Sequence, residues 1–157
     1  MKVSAARADS FIAAPPRDMR GILIYGPDLG LVRERAETVT KAIAGDLRDP
    51  FNVVELTTSS LRDVPSRLTD EACALSMTGG RRVVRLRDAT DSITSSAIQA
   101  LDSDGEALII IEAGDLPPRS KIRSLFEKAD DAAAIPCYAD EGTSLEGLIR
   151  KALADAG

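Results

Sequence analysis

The sequence predicts an α/β fold, a three-layer sandwich in which helices cover both faces of a five-stranded, mainly parallel sheet. Short apolar runs alternate with segments whose apolar residues recur every three or four positions, a pattern typical of strands followed by amphipathic helices. One run, Ala-Leu-Ile-Ile-Ile at residues 107–111, contains no polar residue and is typical of a central strand covered on both faces. Only 3% of the residues are aromatic, so we expect an aliphatic core.

The predicted elements follow one another regularly along the chain. A short first helix over residues 10–14 carries Phe11 and Ile12, which we expect to dock onto the domain. Strands are predicted at residues 22–25, 51–56, 81–87, 107–111 and 132–138. Longer helices are predicted at residues 31–44, 63–75, 91–101, 122–129 and 145–153. The alternation of the two kinds of element favours parallel pairing of the strands.

Polar residues and glycines set the predicted helix boundaries. Gly45 is a typical helix stop. Residues 57–60, Thr-Thr-Ser-Ser, are expected to form a loop before a helix that starts at Asp63. The glycines at residues 79–80 end that helix sharply. The match of residues 143–146 to a capping box predicts the start of the last helix.

The predicted third strand is basic. Arg81, Arg85 and Arg87 share one of its faces, because side chains alternate along a strand. We interpret it as a charged edge strand that resists aggregation, with Arg81 as the exception because it adjoins the preceding helix end. The alternative is contact with acidic residues of a partner or with a DNA backbone. Pro136 places the end of the fifth strand at an edge or outside the hydrogen-bonded ladder. The basic residues near the start of the helix predicted at residues 122–129 are expected on its solvated face: Arg119, Lys121 and Arg123.

The turn after the first strand has the position of a phosphate-binding loop but lacks its chemistry. Such a loop needs glycines, a lysine for the terminal phosphates and a hydroxyl group for the metal ion. Residues 26–32, Gly-Pro-Asp-Leu-Gly-Leu-Val, offer two glycines and neither of the other groups. We expect Asp28 to cap the following helix, and we interpret Glu112 as a solvated carboxylate at a strand end rather than a magnesium ligand. No cofactor and no metal are expected.

The composition excludes several classes of chemistry. The chain has no histidine, which excludes Ser-His and Cys-His nucleophiles and imidazole metal sites. Its 20 basic and 25 acidic residues give a net charge of −5, so strong binding of nucleic acid through the overall field is not expected. We find neither an apolar run long enough to cross a membrane nor a secretory signal. Cys73 and Cys137 are too few for a disulfide framework, which favours a cytoplasmic location.

Three segments, in order and in frame, resemble a known family. They are Leu-Ile-Tyr-Gly-Pro-Asp-Leu-Gly-Leu-Val-Arg-Glu-Arg (23–35), Ser-Met-Thr-Gly-Gly-Arg-Arg-Val-Val (76–84) and Leu-Ile-Ile-Ile-Glu-Ala-Gly-Asp-Leu (108–116). The chain is similar, from about Met19 onward, to the N-terminal domain of the delta subunit of the bacterial DNA polymerase III clamp loader. The resemblance implies a P-loop NTPase or AAA+-like fold without a functional phosphate loop. It places that domain at residues 1–140 and the start of a lid domain, or a C-terminal helix, at residues 141–157.

The resemblance also implies a function. A delta subunit binds and opens the ring-shaped sliding clamp, beta, during DNA replication, and its N-terminal domain catalyses nothing. The implied partners are the clamp and the other clamp-loader subunits, with DNA reached only through the assembled complex and no membrane contact. By resemblance, the chain is a component of the DNA-directed DNA polymerase holoenzyme, a nucleotidyltransferase.

In this family the clamp contact is a helix tip that carries a pair of large hydrophobic residues. The pair falls on Met77 and Thr78, and Thr78 departs from the family because it is small and half polar, which leaves open a shift of the contact onto Leu75 and Met77. The candidate clamp-binding residues are therefore Leu75, Ser76, Met77, Thr78 and Arg81. The helical spacing predicts that Leu75 packs beneath the strand, and it leaves the exposure of Met77 open.

Two alternatives compete with this interpretation. The first is a divergent nucleotide-binding AAA+ or P-loop ATPase with an altered phosphate loop, which binding of ATP would reveal. The second is an α/β scaffold with unrelated partner sites, which predicts no affinity for a clamp.

Overall fold

Five strands form one sheet in the computed structural model, which describes residues 1–138. The strands are β1 Gly21–Tyr25, β2 Val53–Thr57, β3 Val83–Ala89, β4 Leu108–Ala113 and β5 Ala132–Pro136. The helices are α1 Ala5–Ala13, α2 Leu29–Ala44, α3 Thr58–Asp63, α4 Arg67–Cys73, α5 Thr94–Asp102 and α6 Lys121–Lys128. The strand order is β2-β3-β4-β1-β5, and every neighbouring pair is parallel. The predicted α/β fold with five strands is confirmed, and its sheet is wholly parallel.

Two apolar clusters, one on each face of the sheet, make up the core. On one face, α1 and α2 pack against the strands through side chains that include Ile12 and Val39. On the other face, α4, α5 and α6 do so through side chains that include Leu68, Leu101 and Phe126. All the residues of β4 are buried, as expected for the central strand of a parallel sheet. The predicted docking of α1 is confirmed, because Ile12 is buried and Phe11 packs against the same cluster.

The segment after β2 is a helix where a loop was predicted. The Thr57 hydroxyl accepts a hydrogen bond from the Ser60 amide at 3.3 Å and so caps α3. Leu61 is buried and fixes this helix to the core. The cluster of hydroxyl side chains therefore marks the start of a helix in its own right, and the next helix, α4, begins at Arg67 rather than at residue 63.

The strand β3 lies between β2 and β4, so its interpretation as an edge strand was wrong. The sheet edges are β2 and β5, and the position of Pro136 in an edge strand is confirmed. The outer side of β5 is partly covered by the start of the chain, because the Val3 amide donates to the Ala134 carbonyl at 3.0 Å. This pairing uses backbone groups that an exposed edge would offer to other chains.

Some predictions lie outside the described residues. They are the domain boundary at residue 140, the lid segment 141–157, the capping box at 143–146 and the helix at 145–153. Among residues 1–138, no helix has both the length and the apolar character that crossing a membrane requires.

Candidate partner-binding site

The loop between α4 and β3, residues 74–80, which we call the tip loop, exposes two large apolar side chains. Leu75 is 81% exposed and Met77 is 83% exposed, the highest values among the large apolar side chains of residues 1–138. The prediction that Leu75 packs beneath the strand is wrong. The helix α4 ends at Cys73 and Ala74 has an extended backbone, so Leu75 no longer follows the buried face of the helix.

A tertiary contact from Arg82 accounts for the end of α4. The Arg82 guanidinium donates hydrogen bonds to the carbonyl oxygens of Glu71 and Ala74. It also forms an ion pair with the Glu71 carboxylate at 2.9 Å. These carbonyls belong to the last turn of α4 and its cap, where carbonyl groups lack amide partners within the helix. Since Arg82 immediately precedes β3, the start of the strand fixes where the tip loop begins.

Asn52, the residue before β2, holds the tip loop from beneath. The Ser76 hydroxyl donates to the Asn52 side-chain oxygen at 2.6 Å. The Asn52 amide nitrogen donates to the Thr78 hydroxyl at 3.0 Å and to the Asp49 carboxylate at 3.1 Å. Asn52 is buried, so these part-buried bonds are partly shielded from water. The Thr78 hydroxyl is engaged with the protein, which leaves Leu75 and Met77 as the exposed apolar pair of the loop.

The exit from the tip loop depends on its glycines. Gly79 and Gly80 have φ of 77° and 82°, a left-handed conformation that glycine adopts at little cost. Arg81 follows and donates to the backbone carbonyls of Met19 and Glu106. These contacts tie the end of the loop to the segments that precede β1 and β4.

The loop after β1 uses its backbone amides within the protein. The Gly26 amide donates to the Gly114 carbonyl at 3.0 Å, and the Asp28 amide to the Cys137 carbonyl at 3.4 Å. The Asp28 carboxylate accepts from the Leu31 amide at 3.1 Å, which confirms the predicted cap of α2. Amides at this position are the donors that a phosphate loop directs at its ligand. Several of those donors are therefore already occupied.

Glu112 near the end of β4 belongs to a buried ionic network, so its interpretation as a solvated carboxylate was wrong. It is only 6% exposed, and its Oε2 accepts from Arg85 Nη2 at 2.9 Å and from Nε at 3.2 Å. Arg85, on β3, also donates to Glu55 on β2 at 3.2 Å. Burial raises the pKa of Glu112, and the Arg85 guanidinium offsets part of that rise. The carboxylate is thus committed to joining neighbouring strands.

Comparison with known proteins bears on the fold. No protein-family model and no curated protein matches the sequence. Among solved structures, a DNA polymerase III gamma subunit-related protein from Thermotoga maritima is similar, with a TM-score of 0.55 and 16% sequence identity. The match covers 92% of this chain and 49% of the other, so this chain spans about half the length of that protein. The fold is AAA+-like.

In the AAA+-like arrangement the two loops lie at opposite ends of the strands. The loop at Gly26 follows β1 and lies at the carboxyl ends of the strands, where parallel α/β sheets bind ligands. The tip loop precedes β3 and lies at the amino ends. A partner on the tip loop is therefore well separated from the nucleotide position of such folds. Within residues 1–138, no group of three Cys, Asp or Glu side chains is placed to hold a metal ion.

Arg123 has a structural role where a solvated position was predicted. Its guanidinium lies 5.0 Å from the centre of the Tyr25 ring and donates to the Leu116 carbonyl at 2.8 Å. It also forms an ion pair with Glu127 at 3.4 Å. Arg123 thus fixes α6 against the end of β1, and it is not free for a partner.

The sequence reasoning missed Asn52 as part of the site. Residue 52 was placed inside a predicted strand, although asparagine is disfavoured there and Asp49 and Pro50 precede it. Those turn-forming residues were the available signal. Its hydrogen bonds to Ser76 and Thr78 join residues about 25 positions apart, and no local pattern indicates them.

Proposed function

We propose that this chain binds and opens a sliding clamp, as the delta subunit of a DNA polymerase III clamp loader does, and catalyses no reaction itself. The observation that carries the proposal is the exposure of Leu75 and Met77, 81% and 83%, on a loop held in place by hydrogen bonds to the buried Asn52. The similarity to a gamma subunit-related protein supports the AAA+-like framework, and the resemblance of residues 76–84 to the delta family supports the role of the loop.

The physical argument concerns apolar side chains on a pre-organised loop. Burying a leucine or methionine side chain in a partner contributes roughly 1.5–3 kcal/mol, and a loop that is already ordered loses little entropy on binding. Methionine adapts its shape to an apolar pocket because its side chain is unbranched and polarisable. Leu75 and Met77 therefore have the properties of a small hydrophobic anchor that enters a pocket on another protein.

The pair that makes the contact is Leu75 with Met77 rather than Met77 with Thr78. The Thr78 hydroxyl bonds to Asn52 at 3.0 Å, so turning this side chain toward a partner would break a bond to a buried group. The Asn52 side-chain nitrogen would then keep only its bonds to Asp49 and Gly79, and the loss of one hydrogen bond costs about 0.5–1.5 kcal/mol. Ser76 supports the loop through the same asparagine. Arg81 contributes at the border of the site.

The alternative of a nucleotide-binding ATPase has less support. Asp28 places a carboxylate at the start of α2, where it competes with the negative charge of a phosphate group. The loop also lacks the lysine and the hydroxyl group that hold nucleotide and metal. We expect ATP with magnesium to leave the melting temperature of this chain unchanged, whereas an ATPase would be stabilised by its ligand.

The test is calorimetric titration of this chain with the cognate sliding clamp. We expect micromolar or tighter binding that is lost in a Leu75→Ala/Met77→Ala variant. Leu29→Ala is the matched control, because Leu29 is 64% exposed at the carboxyl ends of the strands, away from the tip loop. Undetectable binding by the folded chain, or equal loss in the control, would contradict the proposal. We expect contacts with other loader subunits and with DNA only in the assembled complex. The isolated chain should therefore not retain DNA.

A further inference from the structure

A cavity of about 620 Å³ opens beside the tip loop, at the amino ends of the strands. Its walls come from the segments before β1, β3 and β4 and from the residues after α4. Leu75, Arg20 and Arg81 are among the residues that line it. The cavity therefore adjoins the tip loop at Leu75 and Ser76.

Arg20 and Arg81 bring positive charge to this cavity without an ion-pair partner among residues 1–138. Arg81 donates to backbone carbonyls, including Glu106 at 2.9 Å, and Arg20 donates from Nη2 to the Ser103 carbonyl at 2.7 Å. The Arg20 Nε is buried and has no hydrogen-bond partner within the described residues. Burial, and then the nearby charge of Arg20, lower the pKa of Arg81. The neighbouring Arg82 differs, because Glu71 neutralises it at 2.9 Å.

The surroundings of the two guanidinium groups favour a single carboxylate over a nucleic-acid backbone. Asp18, Asp104 and Glu106 also line the cavity, and these carboxylates repel a chain of phosphate groups more strongly than they repel one carboxylate. The net charge of −5 acts in the same direction. A single carboxylate flanked by apolar atoms fits better, since it needs only the N–H groups of the two guanidiniums that do not already donate to backbone carbonyls.

We propose that this cavity binds a carboxylate of the protein partner, with Arg20 and Arg81 donating to it while Leu75 and Met77 contact an adjacent apolar pocket. The partner's identity rests on the proposed function above, whereas the anion chemistry does not. Acidic residues beside an apolar pocket are thus the surface chemistry that this chain recognises.

The first experiment uses small probes and needs no clamp. The arginine Nε–H signals of the whole chain are followed by NMR during titration with N-acetylglutamate, at constant ionic strength. We expect saturable shifts at Arg20 and Arg81, and none with the neutral analogue N-acetylglutamine. An equal response to N-acetylglutamine, or tighter binding of inorganic phosphate, would overturn the proposal, the latter in favour of a phosphate ligand.

The second experiment measures clamp affinity in matched variants. Arg20→Gln is expected to weaken binding about tenfold, Arg20→Lys less, and Arg62→Gln not at all, because Arg62 is an exposed arginine of α3. Thermal melting checks that each variant is folded. Clamp binding that is insensitive to Arg20→Gln, without NMR shifts, would remove the carboxylate site and leave the clamp proposal intact. Shifts with N-acetylglutamate but no clamp binding would support the carboxylate site and contradict the clamp proposal.

Discussion

The Ser76 hydroxyl lies 2.6 Å from the side-chain oxygen of Asn52 and donates a hydrogen bond to it, although the two residues are 24 positions apart in the sequence. The same hydroxyl lies 2.7 Å from the Gly79 carbonyl, so Ser76 links Asn52 beneath the tip loop to Gly79 near the end of the loop. A serine and a buried asparagine thereby give a short, glycine-containing loop a defined shape. This loop conformation keeps the side chains of Leu75 and Met77 exposed.

Replacing Asn52 by alanine should loosen the tip loop. Asn52→Ala removes the acceptor of Ser76 and the donor to Thr78, and we expect a loss of about 1–3 kcal/mol in the free energy of unfolding. Amide exchange at residues 76–80 should accelerate, and clamp affinity should fall because binding must then order the loop. Thr78→Val, which removes only one of these bonds, should give a smaller effect. Unchanged amide exchange in Asn52→Ala would show that the loop does not depend on this side chain.

Removing Arg85 should strongly destabilise the fold. Arg85→Met leaves the buried carboxylate of Glu112 without its partner, and breaking a buried pair in this way costs about 3–5 kcal/mol. The double variant Arg85→Met/Glu112→Leu should recover most of that loss, because it buries no charge. Arg87→Met is the control, since its pair with Glu55 is 4.0 Å long and half-exposed, and it should cost less than about 1 kcal/mol. Urea unfolding measures all three, and equal losses for Arg85→Met and Arg87→Met would contradict the network.

Tyr25 should ionise only in strongly alkaline solution. Its burial raises its pKa from 10.0 to about 12, although Arg123 lowers it. Below pH 10 the phenol is neutral in both states; as the pH rises toward 12 the unfolded state ionises first, so stability is lost, by up to about 3 kcal/mol. Tyrosinate absorbance measures this in a Tyr138→Phe variant, which leaves Tyr25 as the single tyrosine and keeps burial, the largest cause of the raised pKa, while removing the smaller contribution of Tyr138. Titration of that variant near pH 10, while circular dichroism shows it folded, would contradict the prediction.

The helices and strands could be predicted from the sequence where local patterns decide them. Asp28 and Gly45 bound α2 because a capping carboxylate and a left-handed glycine act within one turn. The apolar run of β4 could be assigned to the centre of the sheet, because a strand without polar residues must be covered on both faces. These inferences needed no knowledge of distant contacts.

The errors concern residues whose partners are distant in the sequence. Arg85 was assigned to an edge because charge is usually solvated, but Glu55 and Glu112 on the flanking strands neutralise it. Glu55 inside one predicted strand and Glu112 directly after another were a signal for such a network. Leu75 was assigned to the core because the spacing of α4 continued to it, whereas Arg82 binds the carbonyls at the end of that helix. The exposed pair at the tip loop thus results from a tertiary contact that periodicity does not reveal.

The two glycines of the loop after β1 should respond oppositely to alanine. A Cβ at Gly26 would lie 2.1 Å from the Cys137 carbonyl oxygen, and φ is 150°, so Gly26→Ala should lose at least about 3 kcal/mol in unfolding free energy. Gly30 lies in the first turn of α2 with only the Asp28 carboxylate nearby, at 3.6 Å, so Gly30→Ala should be neutral or stabilising by up to about 1 kcal/mol.

This contrast separates a structural loop from a phosphate loop. In a phosphate loop, glycines permit the backbone to approach the ligand, so alanine at either position would impair binding. In this chain Gly26 is required by the close approach of Cys137, and Gly30 has no comparable constraint. We therefore expect Gly30→Ala to keep full clamp affinity and to show the same thermal melting with and without ATP. A stabilisation by ATP that is present in the parent chain and lost in Gly30→Ala would instead favour the nucleotide-binding alternative.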